Sequence, residues 1–553
     1  MKTVKRVLPA LIAVALAGSA QAASERDELL VLKNTTLNLI EALVKEGILS
    51  QERADTLIST AQQSAVEEAR RQERMTAQAP EKVVRVPYVP EFVKDEIRQQ
   101  VRTELQEDVV GAVMSQAKQE RWGIPEAMPA WTQRIKVKGD IRLRAEGDLF
   151  GSNNVFGSHI DYQKLNDGSS SFLLNNTEDR NRARMRMRLS VSGKVTNNLK
   201  AGVRLATGST DNPVSTNQTS GESFKPYSIF LDRAYLKYDD YDLNSYPWLT
   251  LWGGRIPNPF FSTSLVWDKD VNFEGAAATF RYNLSGGNDL FDMDEHNRTL
   301  FMTVGAFPLQ EVALSQDDKW LFAGQLGTEL IGDDQSSFKV GLAYYNYHNI
   351  TGRLNDPTNN LLDYTAPDFM QKGNSLFDIN AQQPSTSPFL FGLASDYDLA
   401  NLTARYDYAK FAPLHMIVTG DYVRNVGYNA NDIRNRIGGS ALRVNGTFDT
   451  GNPDDKQNEG YYLKFTVGWP DVSLRRNWQA SLGYKYLERD AVLDAYTDSD
   501  FHLGGTNAKG WILGGKYGIN DNAWVSARYL SADEIDGLPL AIDVLQLDLN
   551  AKF

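Results

Sequence analysis

The chain contains no cysteine at all, so no disulfide framework or thiolate chemistry can hold or activate it. Histidine is nearly as scarce, with His159, His296, His348, His415 and His502 its complete set. None of the five sits in a recognisable nucleophile motif, and no His/Cys/carboxylate set has metal-ligand spacing. No glycine-rich phosphate loop occurs, and no run outside the first residues approaches the ~18 apolar residues of a membrane helix. The formal net charge of -12 is modest for 553 residues and speaks against a nucleic-acid partner. Catalysis, a resident cofactor and a bound metal are therefore not expected.

What is present begins with export. Lys2, Lys5 and Arg6 precede an apolar run from Val7 to Ala17, and Ala20-Gln21-Ala22 supplies small residues for cleavage. This is the layout of a secretory signal peptide over residues 1–22, with the mature chain expected to begin at Ala23. An exported chain with 24 Tyr, 24 Phe, 10 Trp and 42 Gly but no spanning helix is either soluble in the periplasm or a β-barrel.

Residues 23–122 read as a helical periplasmic segment. Leu30, Leu37, Ile40 and Val44 carry one stripe, and Ala54, Leu57, Ile58 and Ala61 a second. Pro80, Pro87 and Pro90 mark a connector, after which Val93, Ile97, Val101, Leu105, Val109 and Val113 form a narrow seam. Such a seam suits a trimeric coiled bundle, a helical pair beneath a barrel, or an attachment to the cell wall.

From about residue 123 to 553 the period changes to two. About sixteen segments alternate: 134–146, 179–192, 198–208, 228–238, 248–255, 275–284, 298–307, 319–330, 337–348, 396–408, 413–424, 458–468, 478–487, 508–519, 523–530 and 542–553. Short spacers interleave with long polar ones at 147–178, 349–395 and 425–457. In the last segment Leu545, Leu547, Leu549, Ala551 and Phe553 share one face, and Gln546, Asp548, Asn550 and Lys552 the other. Strands greasy outside and charged inside predict an all-β transmembrane antiparallel barrel with lipid around it and water within. The terminal Phe553 resembles the assembly signal by which barrel-assembly machinery handles outer-membrane proteins.

The most informative run is Arg180, Arg182, Arg184, Arg186 and Arg188, alternating with Asn181, Ala183, Met185, Met187 and Leu189. On a strand these arginines form a ladder on one face. Facing lipid, each near the midplane would cost roughly 2–4 kcal/mol, so they must face water. Arg142 and Arg144 on the preceding strand and Arg204 on the following one extend the wall. Unpaired guanidiniums in a narrow lumen would concentrate anions and bind carboxylate or phosphate. The alternative is that acidic groups brace them and they hold the lumen open.

Gly253-Gly254-Arg255-Ile256-Pro257-Asn258-Pro259-Phe260, then Leu265-Val266-Trp267-Asp268-Lys269-Asp270, ends a strand abruptly and adds a segment both apolar and acidic. Together with Ile135–Arg144, this block resembles the family of Gram-negative outer-membrane proteins called "putative porins". The likeness covers roughly Trp122 to Phe553, and Gly-Arg-x-Pro-Asn-Pro is its best mark. It implies a barrel, trimeric as porins usually are, passing small hydrophilic solutes, anionic or neutral. It also implies that the segment after strand five is a constriction loop, with Arg255, Asp268, Asp270 and Glu274 opposite the arginine ladder and a mild anion preference. The rival expectation is a structural tether between membrane and cell wall.

Overall fold

The structure is a computed structural model that describes residues 134–242, 246–284, 298–313, 315–332 and 334–553. The expected signal peptide, helical segment and proline connector lie outside the described residues. Seventeen strands share the main sheet, one of them the two-residue Gln218–Thr219, and among the described residues the remaining sixteen form a closed antiparallel barrel. They are β1 Ile135–Phe150, β2 Arg180–Lys194, β3 Leu199–Thr207, β4 Ile229–Tyr241, β5 Pro247–Pro257, β6 Asn272–Asn283, β7 Arg298–Gln310 and β8 Lys319–Ile331. The second half comprises β9 Ser337–His348, β10 Asp398–Tyr408, β11 His415–Asn425, β12 Glu459–Gly468, β13 Trp478–Leu487, β14 Ala508–Asn520, β15 Ala523–Glu534 and β16 Ala541–Lys552.

Each strand pairs with its sequence neighbour, and β1 pairs with β16 from Asp140↔Lys552 to Phe150↔Ile542, which leaves no free sheet edge. The alternation sorts side chains by face. Leu143 and Leu547 are 52% and 53% exposed, whereas Arg144 and Gln546 are 3% and 1% exposed. Water on the outside would leave that apolar surface unsatisfied; hydrocarbon suits it. At the seam, Phe553 exchanges both backbone hydrogen bonds with Gly139 (2.8 and 3.0 Å), and its ring lies where a Cβ at Gly139 would fall, 2.2 Å away.

Strand ends differ from expectation in two places that matter. Strand β1 continues past residue 146 to Phe150 because Glu146 and Asp148, polar enough to suggest a loop, sit on the inner face opposite Arg182 and Arg180. Strand β6 begins at Asn272, so Glu274 belongs to the wall and pairs in register with Arg255 of β5. Gly254 and Gly275, directly opposite each other, adopt φ of 106° and 131°, and a Cβ at Gly275 would fall 2.3 Å from the Ala306 carbonyl oxygen. Only glycine lets the two strands run through this point.

The barrel interior is filled by chain as well as by side chains. Residues 258–271 and 488–507 fold inward and pack around Trp267, which is 3% exposed. Its ring centroid lies 4.7 Å from Phe273, 5.4 Å from Tyr345 and 5.8 Å from Tyr496. The long segments 349–397 and 426–458 make a separate cap. Three short strands (Leu376–Asp378, Phe391–Leu393, Leu442–Arg443) and the helix α1, Ala430–Ile437, enclose Phe377, Ile379, Ile433 and Leu442.

Candidate functional site: a divided, charged interior

The inner face of β1 presents Asp140, Arg142, Arg144, Glu146 and Asp148, and the register sets them opposite Arg188, Arg186, Arg184, Arg182 and Arg180 of β2. The outer rungs pair acid with base. The two middle rungs place arginine against arginine, which is unfavourable unless other groups compensate. Those groups come from elsewhere in the chain. Arg144 grips Asp548 of β16 through Nε and Nη2 (2.7 and 3.1 Å) and donates from Nη1 to Asp500 (3.0 Å). Arg182 meets Glu146 at 2.5 Å and Asp148 at 2.9 Å, and Arg184 meets Glu146 at 3.1 Å. Asp140 accepts from Arg186 (2.8 Å) and Arg188 (2.9 Å). Arg204 bonds Asp232.

The expectation of an unpaired guanidinium row is therefore corrected. Of its eight arginines, six (144, 182, 184, 186, 188 and 204) have a carboxylate within 4.0 Å. The reason is that acids on β1, β4 and β16 share the inner face with them. Arg180, exposed, has no such partner among the described residues, and Arg142, 5% exposed, bonds Asn217 instead.

The segment between β5 and β6 carries the next group. Asp270 is 3% exposed and accepts from Arg188 (3.3 Å) and from the Thr216 amide and hydroxyl (3.3 and 3.2 Å). Burial opposes its charge, but Lys269, Arg186 and Arg188 prevail and hold its carboxyl below the usual range. Asp268, 5% exposed, accepts from the amide and hydroxyl of Ser499 (2.9 and 3.0 Å) and donates its own amide to the Tyr496 carbonyl (2.7 Å). Burial, with Asp498 adding repulsion, pushes its carboxyl up to about 7. Thr497 Oγ1 reaches the Leu265 carbonyl at 2.9 Å. The two inward segments are thus latched to each other, forming a septum.

Arg255 and Glu274, expected on the constriction segment, lie instead on β5 and β6, bonded to each other. The Arg255 Nε also donates to the Asp232 carbonyl (2.9 Å). Two cavities among the described residues have no lining residue in common, Trp267 of the septum bordering one and Asp268 the other. One, of about 900 Å³, lies toward the long connections and is lined by Asp167, Asp211, Glu274, Asp368 and Asp494 against Arg255 and Lys319. Burial pushes the Asp494 carboxyl up to about 7. The other, of about 620 Å³, lies toward the short turns and is lined by ten Lys and Arg side chains and three carboxylates, Asp268, Asp498 and Asp548. We call them the outer and inner chambers.

Several contributors were not singled out in the sequence. Asp500 joins Arg144, Arg528 (2.8 Å) and Gln546 (3.0 Å), and these cations hold its carboxyl well below the usual range despite burial. Arg233, Lys464, Lys516 and Arg528 line the inner chamber. A signal for Asp500 existed: Asp490–Phe501 mixes acidic and apolar residues as Leu265–Asp270 does. Among the histidines, His159 links Ser158 (2.7 Å) to Glu534 (2.8 Å). The Ser158 hydroxyl also donates to the Val155 carbonyl (2.7 Å), so this chain pins a loop to β15.

A closed sixteen-strand wall, apolar without and ionised within, defines an outer-membrane barrel of the porin class. The chain belongs to the family described as "Putative porin", whose model matches residues 33–553. No curated protein is similar enough in sequence to count as a relative. Among solved structures the chain is similar to the outer-membrane channel DcaP of Acinetobacter baumannii (13% identity, TM-score 0.39, 76% of this chain and 97% of that one). It is similar also to OprB of Pseudomonas putida (10%, 0.42, 78% and 97%) and to the trimer form of OmpT of Vibrio cholerae (10%, 0.37, 76% and 100%).

Proposed function

We propose that the protein is a passive diffusion channel of the outer membrane for small hydrophilic solutes, with a mild preference for anions. The observation that carries this reading is the inner chamber, where ten cations face three carboxylates behind a wall whose outward face is apolar. Charge fixed on the walls of a narrow aqueous space raises the local concentration of the opposite ion and acts as a filter. The paired arginines at positions 144, 182, 184, 186, 188 and 204 keep the lumen open and rigid, and the cations in excess of the carboxylates set the sign. Arg180, exposed at the loop-side end of the ladder, and Arg142, held by the neutral Asn217 amide, complete the positive face. Asp268 and Asp270 set the constriction by latching the septum.

The assembly proposed is a homotrimer in outer-membrane lipid, with Phe553 serving the barrel-assembly machinery and the segment before residue 134 on the periplasmic side. Liposome swelling tests the function directly. Proteoliposomes in an isotonic neutral sugar are expected to swell, and faster with a small organic anion than with a cation of equal size. A tether to the cell wall would give no solute flux at all.

A further inference from the structure

Four of the five carboxylates of the outer chamber, Asp167, Asp211, Asp368 and Asp494, have no Lys, Arg or His nitrogen within 4.0 Å among the described residues. Both cations of its lining are already engaged. Arg255 holds Glu274, and Lys319, itself buried, donates from Nζ to the Ala366 carbonyl (2.7 Å). Asp167, Asp211 and Asp368 are exposed, so water screens them. Asp494 differs, being only 3% exposed, with Oδ2 accepting from the Gln371 amide (3.1 Å). Burial lifts its carboxyl to about 7 against the Gln371 and Ala495 amides, which favour the charge. A desolvated carboxylate is costly until a cation answers it. The rest of the wall is apolar. Phe307, Leu309, Leu321 and Leu493 line it, and the half-buried rings of Phe369 and Tyr496 back onto the hydrophobic core. Among the described residues no three His, Asp or Glu side chains gather as a metal ion requires.

We propose that the outer chamber is a binding site for an amphipathic organic cation, with its ammonium group at Asp494 and its aromatic or aliphatic body on the apolar wall. A cavity of about 900 Å³ has room for such a molecule. The exposed Asp167, Asp211 and Asp368 draw a cation in from solution, and the desolvated Asp494 holds it. The rings of Phe369 and Tyr496 offer faces that favour positive charge. A compact, strongly hydrated ion would leave the apolar wall unused. The site needs the chamber and not the flow beyond it, so it stands or falls apart from the channel reading. In an open channel its occupant obstructs the passage of solute.

The test is calorimetric titration of the full-length protein in detergent with phenethylammonium, and separately with phenylethanol and ethylammonium, beside KCl conductance of the same preparation. Phenethylammonium should bind saturably, at least about tenfold tighter than the alcohol, which lacks the charge, or ethylammonium, which lacks the ring. The variant D494N should weaken phenethylammonium about tenfold and leave phenylethanol unchanged. D211N/D368N, altered at exposed positions, keeps the test open should D494N fail to fold, and should weaken phenethylammonium about twofold. Equal binding of phenethylammonium and phenylethanol overturns the proposal. So does ethylammonium binding as tightly, which would mark loose attraction to exposed acids. Undiminished binding in a folded D494N, or in D211N/D368N where D494N does not fold, places the cation elsewhere and overturns it too. Tight phenethylammonium binding without KCl conductance would sink the channel reading and leave the site standing. Conductance without selective phenethylammonium binding would do the reverse.

Discussion

The two chambers of this barrel are separated by one septum, yet their linings carry opposite charge. The outer has five carboxylates against two cations, and the inner ten cations against three carboxylates. A net charge of -12 for the whole chain describes neither. The difference arises because a strand period of two lets one strand carry a charged inner row, and neighbouring strands stack those rows into a patch. Where acids fall in the same row they neutralise it, as Glu146 and Asp148 do toward the loop end of β1. Where they do not, as around Arg142, the charge stays unspent.

Removing the septum should blur this contrast most. Trp267→Ala takes away a ring that touches Phe273, Tyr345 and Tyr496, and a buried Trp lost in this way costs about 3–5 kcal/mol. Single-channel conductance should rise and the transition of the latched segments in a thermal melt should fall. Next in size, Asp500→Ala leaves Arg144 and Arg528 short of their shared carboxylate, at a cost of about 3 kcal/mol. The folded barrel should lose its resistance to heating in detergent at a lower temperature, read by electrophoretic mobility. Charge reversal sharpens the comparison without disturbing the fold: K464E with K516E should abolish or invert the anion preference. Asp368→Asn in the outer chamber should shift it slightly further toward anions, both read as reversal potentials.

The smallest effect expected is that of pH. Asp268, facing Asp498, Asp270, Lys269 and Lys485, has its carboxyl raised to about 7 in the fold, against an ordinary value near ~4. The native state therefore binds a proton that the unfolded state gives up. The stabilising contribution is whole below the ordinary value and is lost as pH climbs to about 7. Between pH 5 and 8 the inner chamber gains one negative charge, so anion preference should decline, and Asp268→Asn should flatten the decline.

The wall was legible in the sequence because alternation is a local signal; all sixteen alternating segments coincide with strands of the barrel. The inner row of β1 was half legible. Arg142 and Arg144 stand out, but Asp140, Glu146 and Asp148 share their parity and decide how much charge remains. The septum was legible only from its acidic and apolar composition at 265–270, and its second half at 490–501 went unmarked. Irregular chain has no period, and Asp500 meets Arg144 from 356 residues away. Arg255 and Glu274 were misplaced by the glycine pair at 254 and 275, which looks like a strand terminus but lets both strands continue.

If the inner chamber sets the sign of an aqueous path through the barrel, the path's ion selectivity must report it. Planar-bilayer recording of the purified protein across a KCl gradient tests it most directly. Discrete open channels are expected, with a reversal potential displaced toward that of chloride. A bilayer that stays silent, or channels whose reversal potential lies near that of potassium, would contradict it.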